Sequence, residues 1–370
     1  MQNPGGHKPG LKNPGLIKRK TINTTQDAWI KTSHLLPEQQ LPLLMQPAIE
    51  GVELVDWARG NRETIESSLL KYGGILFRNF PIPSVSEFER FVTAIAGDLL
   101  EYTYRSTPRR KETGNIYTST EYPADQSIPL HNEMAYSSNW PLKIGFFCAI
   151  PAEKGGETPI ADSRRIFQRI DPAIKERFRQ KRVMYVRNYV EGMDLPWQTV
   201  FQTTSKPEVE RYCRKAGTEF EWVTSDHLRT RQVCLAVVTH PKTGEPLWFN
   251  QAHLFQISNL PPEVRESLLA TCKQEDLPRN AYYGDGSPLE TDALEHIREI
   301  YRHHAGSCVL RASFSLRGDR RDTTGIDRPC IQTISKRREH PCLYPRTSVP
   351  HRTPISLQTS DKTSMNTCVR

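Results

Sequence analysis

Three patterns are missing from this chain. It has no Gly-x-Gly-x-x-Gly run, which argues against a dinucleotide-binding turn. None of its eight cysteines (Cys148, Cys213, Cys234, Cys272, Cys308, Cys330, Cys342 and Cys368) falls in a Cys-x-x-Cys pair. A zinc ribbon or a thioredoxin-like motif is therefore not supported. No apolar stretch is long enough to span a bilayer, and no signal-peptide core is present. Cysteines spread this thinly read as reduced thiols, so we expect a cytoplasmic protein that does not engage membrane.

What is present begins with charge. Of 370 residues, 50 are Lys or Arg and 42 are Asp or Glu, a net of +8. The excess is not in the body. Residues 1–20 carry a net of +5 and residues 317–370 a net of +6, which leaves −3 for residues 21–316. A basic chain raises nucleic-acid binding as a possibility, but a mildly acidic body between two basic ends does not fit it.

The central feature is Ile128-Pro129-Leu130-His131-Asn132-Glu133-Met134-Ala135-Tyr136. A histidine and a carboxylate two residues apart share one face of extended chain, because strand side chains alternate. Two such groups and a further histidine make the facial triad of non-haem Fe(II) oxygenases. Alone, the pair is equally an exposed polar couple beside a strand. The rest reads as strands with intervening helices. Ser86 with Glu89 predicts a capped helix facing inward through Phe88, Phe91, Val92 and Ile95. Gly73-Gly74 ends a helix before the strand Ile75-Leu76-Phe77. Lys143 to Ile150 and Val183 to Tyr189 are predicted strands, and Asp171-Pro172 opens a helix. Gln232 to Thr239 and Leu247 to Asn250 form a hairpin about Lys242-Thr243-Gly244, and Pro261-Pro262 opens another helix.

Several segments together resemble one family: YRSTPR (Tyr104–Arg109), IYTSTEYP (Ile116–Pro123), IPLHNE (Ile128–Glu133) and GGETPIADSR (Gly155–Arg164). LRTRQV (Leu228–Val233), HPKTGEPLWFNQAHLF (His240–Phe255) and PRNAYYGDGSPLE (Pro278–Glu290) follow in order. From about Leu41 to about Tyr301 the chain resembles the taurine dioxygenase-like (TauD/TfdA) superfamily of Fe(II)/2-oxoglutarate-dependent oxygenases, in its SyrP-like natural-product branch. The resemblance implies a mostly β fold with helical decoration, the clavaminate synthase-like double-stranded β-helix or jelly-roll. It implies Fe(II) as cofactor and 2-oxoglutarate as co-substrate, with His131 and Glu133 as metal ligands. Thr158 matches the threonine that helps hold a 2-oxoglutarate carboxylate, and Tyr104, Arg105 and Thr118 are candidates for the substrate pocket. Because Glu133 is present where halogenating relatives have a small residue, the implied reaction is hydroxylation. The implied substrate is a small polar molecule such as an amino acid, free or bound to a carrier protein.

The chain departs from that pattern after Tyr301. The family's distal histidine and the arginine that pairs with 2-oxoglutarate have no counterpart in His303-His304-Ala305-Gly306-Ser307-Cys308-Val309-Leu310-Arg311. His303, His304, His340 and His351 are the late histidines, and none is expected to replace it; nor is His253. Glu295, His296, Glu299 and His303 read as the solvated side of an amphipathic helix with Leu294, Ile297 and Ile300 or Tyr301 inward. We therefore expect a flexible basic leader over 1–25, an oxygenase domain over 26–310 with an incomplete C-terminal end, and an unpatterned, disordered basic tail over 311–370. So abrupt a change is either a genuine but divergent tail or, as we expect, a frame disruption near residues 303–312. Translation of the underlying nucleotide sequence in its other frames should then return the missing His-x-Arg segment. The alternative function is an inactive remnant or binding module of the same family.

Overall fold

The computed structural model describes residues 29–101, 104, 106–107, 109–118, 128–149, 158–305, 309–310 and 331–335. The leader expected over 1–25 lies outside the described residues, as does the tail over 311–370 apart from one strand.

The described chain opens with a hairpin of β1 (Ile30–Leu36) and β2 (Gln39–Pro47). Two helices follow, α1 (Leu54–Gly60) and α2 (Arg62–Tyr72). Gly73 ends α2 at φ 81°, where its N–H returns to the Leu69 carbonyl. A left-handed C-cap of this kind favours glycine because a Cβ would be strained there. The chain then re-enters the sheet as β3 (Ile75–Phe77), parallel to β2. Helix α3 (Val85–Ala96) buries Phe88, Phe91 and Val92. Its cap is Ser84, which accepts a bond from the Glu87 N–H at 3.2 Å, and not Ser86. The Ser-x-x-Glu box thus sits two residues earlier than expected: the chain contains two overlapping boxes, and the extended backbone at Ser84 (φ −151°) selects the first.

The strands that frame the site come next: β4 (Lys111–Thr113), β5 (Ile116–Thr118), β6 (Lys143–Phe147) and β7 (Thr158–Pro159). Helices α4 (Ser163–Arg169) and α5 (Pro172–Lys181) precede β8 (Val183–Tyr189). Asp171 caps α5 through the N–H groups of Ala173 and Ile174, with Pro172 at the first helical position, where no N–H is needed. Then follow α6 (Trp197–Phe201), α7 (Lys206–Ala216), β9 (Glu219–Trp222), β10 (Leu228–Cys234), β11 (Val237–Thr239) and β12 (Pro246–Trp248). Last come α8 (Ala252–Phe255), α9 (Pro262–Thr271), β13 (Arg279–Tyr283), α10 (Thr291–Ala305), β14 (Val309–Leu310) and β15 (Ile331–Ser335).

One four-stranded sheet runs β13-β8-β10-β9, and the other runs β4-β5-β15-β6. The first brings Arg279, Arg187 and Thr230 into one row across the strands. Its inner face carries Tyr185, Tyr189, Leu228, Ala281 and Tyr283 into the largest core cluster, where α10 adds Leu294 and Ile297 with no exposed surface. Each aliphatic chain so buried contributes about 1.5–3 kcal/mol. The second sheet holds a departure from the sequence reading. Ile331–Ser335 was expected to belong to an unpatterned tail, yet it pairs antiparallel with both β5 and β6. Pairing in mid-sheet is decided by distant partners, and a five-residue strand between Arg328-Pro329-Cys330 and Lys336-Arg337-Arg338 gives little local sign of it.

Candidate active site

His131 and Glu133 do not sit on a regular strand. Residues 128–132 belong to no helix or strand, and Glu133–Tyr136 form a turn closed by Ala135 N–H to Asn132 O at 3.3 Å. Met134 takes φ +57° in this turn, a left-handed conformation that a side chain of its kind rarely adopts. Such a residue persists only where its surroundings over-determine it. The result is the pairing that alternation suggests, reached by a different backbone: His131 Nε2 lies 3.6 Å from Glu133 Oε2. The Nδ1 of His131 lies 2.8 Å from the Pro129 carbonyl. A carbonyl can only accept, so Nδ1 carries a proton, and Nε2 is the nitrogen that faces the carboxylate and could bind a metal. Such backbone anchoring is how metal-binding histidines have their tautomer and ring orientation set.

Glu133 is 3% exposed. Its second oxygen, Oε1, lies 3.5 Å from Arg109 Nη2, whose side chain is equally buried. Sequence reasoning missed Arg109. It belongs to the quoted YRSTPR segment, but attention fell on Tyr104 and Arg105, and spacing cannot tell which arginine turns toward a carboxylate in another loop. Arg105 lies outside the described residues. Tyr104 is buried at φ +60°, with its hydroxyl 3.1 Å from that of Tyr189 and 3.4 Å from Thr230 Oγ1. Its ring lines a cavity of about 360 Å³ with Phe201, Tyr212, Glu101 and Glu208, and on another side lies 5.9 Å from the Tyr136 ring. Thr118 is buried, and its hydroxyl accepts the Arg110 N–H at 2.9 Å, which ties it to the loop that carries Arg109. Thr158 begins β7 and pairs with Leu310 of β14.

Three separate elements hold Asn132, the residue between the two donors. Its Nδ2 donates to Ser163 Oγ at the start of α4 (3.0 Å). Its Oδ1 accepts from the Tyr301 hydroxyl of α10 (3.3 Å). Its carbonyl accepts from Gln251 Nε2, and the Gln251 N–H is itself fixed on Tyr185 Oη at 2.7 Å.

The donor set fits a divalent metal in kind, an imidazole nitrogen and a carboxylate oxygen close enough for one ion at about 2.0–2.2 Å from each. It falls short in number. Among the described residues no group of three His, Cys, Asp or Glu side chains could hold a metal ion. The other histidines lie elsewhere. His303 is exposed, and His304 is buried where Arg169, Arg165 and Asp162 act on it. His296 Nε2 accepts the Asp171 N–H. His253 is buried with its ring stacked on Tyr301, centroids 4.4 Å apart. His340 and His351 lie outside the described residues. No described helix is long and apolar enough to cross a membrane.

The structure thus brings together, in the segment between β5 and β6, a half-buried imidazole and a buried carboxylate, the first oriented from the backbone and the second beside an arginine. The profile described as taurine catabolism dioxygenase TauD, TfdA family matches residues 38–312, and the chain belongs to this family. Its fold is accordingly the double-stranded β-helix with helical decoration, and the family's chemistry is that of Fe(II)- and 2-oxoglutarate-dependent oxygenases. Among known proteins the chain is similar to the dapdiamide synthesis protein DdaC of Enterobacter agglomerans, 45% identical over 234 residues, covering 63% of this chain and 71% of that one. A clavaminate synthase-like protein of Arabidopsis thaliana is 28% identical over 279 residues, covering 71% and 79%. Among solved structures, PvcB of Pseudomonas aeruginosa aligns over 88% of this chain and 94% of its own, at 13% identity and a TM-score of 0.42.

Proposed function

We propose that this chain is a dioxygenase that hydroxylates a small polar substrate, an amino acid either free or carried on a partner protein. The observation that carries the reading is the pair itself, His131 Nε2 and the buried Glu133 Oε2 at 3.6 Å, with the other imidazole nitrogen fixed on Pro129. In this reading His131 and Glu133 hold Fe(II), and the Thr158 hydroxyl donates to a 2-oxoglutarate carboxylate. Bound together, the metal and 2-oxoglutarate supply the oxidising power to place one oxygen atom of O₂ on a substrate carbon and the other in succinate, with loss of CO₂. The chain's own work is to hold donors and substrate in register and to keep water from the reacting centre. Tyr104 supports a substrate role, since it lines the cavity and touches the ring of Tyr136 in the same turn as Glu133. The similarity to a protein named for dapdiamide synthesis supports a place in natural-product synthesis. We place the protein in the cytoplasm on its reduced cysteines.

The test is Fe(II)-dependent succinate formation from 2-oxoglutarate by the full chain, beside His131→Ala. Turnover that disappears in the variant supports the reading. A second reading, a remnant that keeps the scaffold without the chemistry, is favoured by the two-donor count among the described residues. Absence of both turnover and bound iron in the unaltered chain would establish it.

A further inference from the structure

We infer that Asn132 is the positioning residue of this site: a clamp, closed from three elements, that sets His131 and Glu133 relative to each other. A loop with two donors on one side does not aim them by itself, because residues 128–132 belong to no helix or strand and the turn after them contains a left-handed methionine. Something must fix the backbone between the donors, and the contacts of Asn132 do so. The amide spends Nδ2 on Ser163 Oγ and Oδ1 on the Tyr301 hydroxyl, while the backbone carbonyl takes Gln251 Nε2. All four residues are buried. Polar groups in such a setting are held tightly, because leaving one unpaired there costs far more than it does in water.

The clamp also ties the site to α10. Tyr301 and Arg298 lie three apart and so on one face of that helix. Tyr301 reaches Asn132 and stacks on His253, while Arg298 donates to the His253 carbonyl at 3.0 and 3.1 Å. The last described helix thus grips α8 and the His-x-Glu loop together. Positioning of the donors depends on a helix far along the chain, adjoining the segment where the sequence departs from its family.

The claim that the clamped groups are metal donors rests on the function proposed above; the clamp itself is tested without metal. Hydrogen exchange of metal-free protein is followed over residues 128–137 in the unaltered chain, Asn132→Leu, Tyr301→Phe and the control Tyr283→Phe. The control removes a hydroxyl bound to Glu290 in another part of the core. Exchange in this segment is expected to accelerate roughly tenfold or more in Asn132→Leu and Tyr301→Phe and to be unchanged in the control. Should Asn132→Leu fail to fold, Tyr301→Phe decides, since phenylalanine keeps the ring on His253. Exchange in Tyr301→Phe within about twofold of the unaltered chain overturns the clamp. Co(II) titration of the same proteins then reads positioning. Loss of an outer partner weakens metal affinity 10–100-fold, so a fall of that order supports the inference, and equal affinity in Tyr301→Phe overturns it. An unaltered chain that binds no Co(II) rejects the metal reading, and the exchange result still judges the clamp.

Discussion

Two buried carboxylates in this molecule meet arginines in opposite ways. Asp194 is gripped by Arg279 through two bonds of 2.6 and 2.7 Å, and Arg187 adds its guanidinium at 3.7 Å. Burial would raise its pKa, but the hydrogen bonds and charge of Arg279 with that of Arg187 hold it below the ordinary carboxylate range. Glu133 is no more exposed, yet its contact to Arg109 is 3.5 Å long at Oε1, while Oε2 lies 3.6 Å from His131 Nε2. A carboxylate closed into a bidentate fork is structural, because its lone pairs are committed. A carboxylate whose arginine stands at 3.5 Å is held less tightly than one gripped at 2.6 and 2.7 Å. The contrast marks Asp194 as scaffold, and the looser hold on Glu133 agrees with the metal-donor role proposed for it.

Substituting each acid in turn tests that contrast most severely. Asp194→Asn strips the charge shared by two guanidiniums, one of them on the fully buried Arg187. Losing one partner of a buried ion pair typically costs 3–5 kcal/mol, and denaturant unfolding should show a loss of that size with little change in Co(II) affinity. Acidification should do the same by degrees, because a depressed carboxyl stabilises at neutral pH and loses its contribution as pH falls through its folded value. Glu133→Gln should invert the pattern. Its contact to Arg109 is longer, 3.5 Å against 2.6 and 2.7 Å at Asp194, so the stability loss should be smaller, about 1 kcal/mol, while Co(II) affinity falls by roughly 100-fold or more, beyond the loss of an outer partner. If both variants lose stability equally, the division between scaffold and site fails.

Arg109 sharpens the comparison at smaller cost. Arg109→Met keeps the stem and deletes the guanidinium, leaving Glu133 a buried carboxylate without that contact. Bonds to charged groups contribute about 1.5–3 kcal/mol, so a loss near 2 kcal/mol is expected in the metal-free protein. Bound Co(II) should restore part of it, since the metal supplies the missing positive charge. A loss that metal leaves untouched would show that Arg109 serves the loop and not the carboxylate.

The sequence made some of this legible and hid the rest for physical reasons. Val183–Tyr189, the Asp171-Pro172 cap and the Gly73 stop were readable because each is set by neighbours within a few residues. So was the company of His131 and Glu133, although the turn that achieves it was not. Arg109 and the Asn132 clamp were hidden because their partners lie in other loops: Ser163, Gln251 and Tyr301 are scattered over more than half the described chain. Strand β15 escaped for the same reason, its pairing being wholly with β5 and β6. Tyr104, Arg105 and Thr158 entered by resemblance, and their roles stay with the proposal.

The smallest effect concerns His253, which lies under α10 beside the clamp. Burial pushes its pKa down to about 3, with the charges of Arg298 and His131 adding to the shift against the opposing Leu130 carbonyl. The unfolded chain takes up that proton near pH 6.5 and the folded chain does not, so stability is full above pH 6.5 and declines as pH falls from there toward 3. One such proton is worth about 1.4 kcal/mol per pH unit. Going from pH 7.5 to pH 5.5 should therefore cost the unaltered chain about 1.4 kcal/mol more than His253→Phe, whose ring can still stack on Tyr301. His227, His240 and His304 are also held below the ordinary histidine value by burial, and they remain in both proteins, so the difference between the two unfolding curves isolates His253. Parallel losses in the two proteins would mean that His253 is protonated in the folded state, and that the wall of rings beneath the site is wetter than its burial implies.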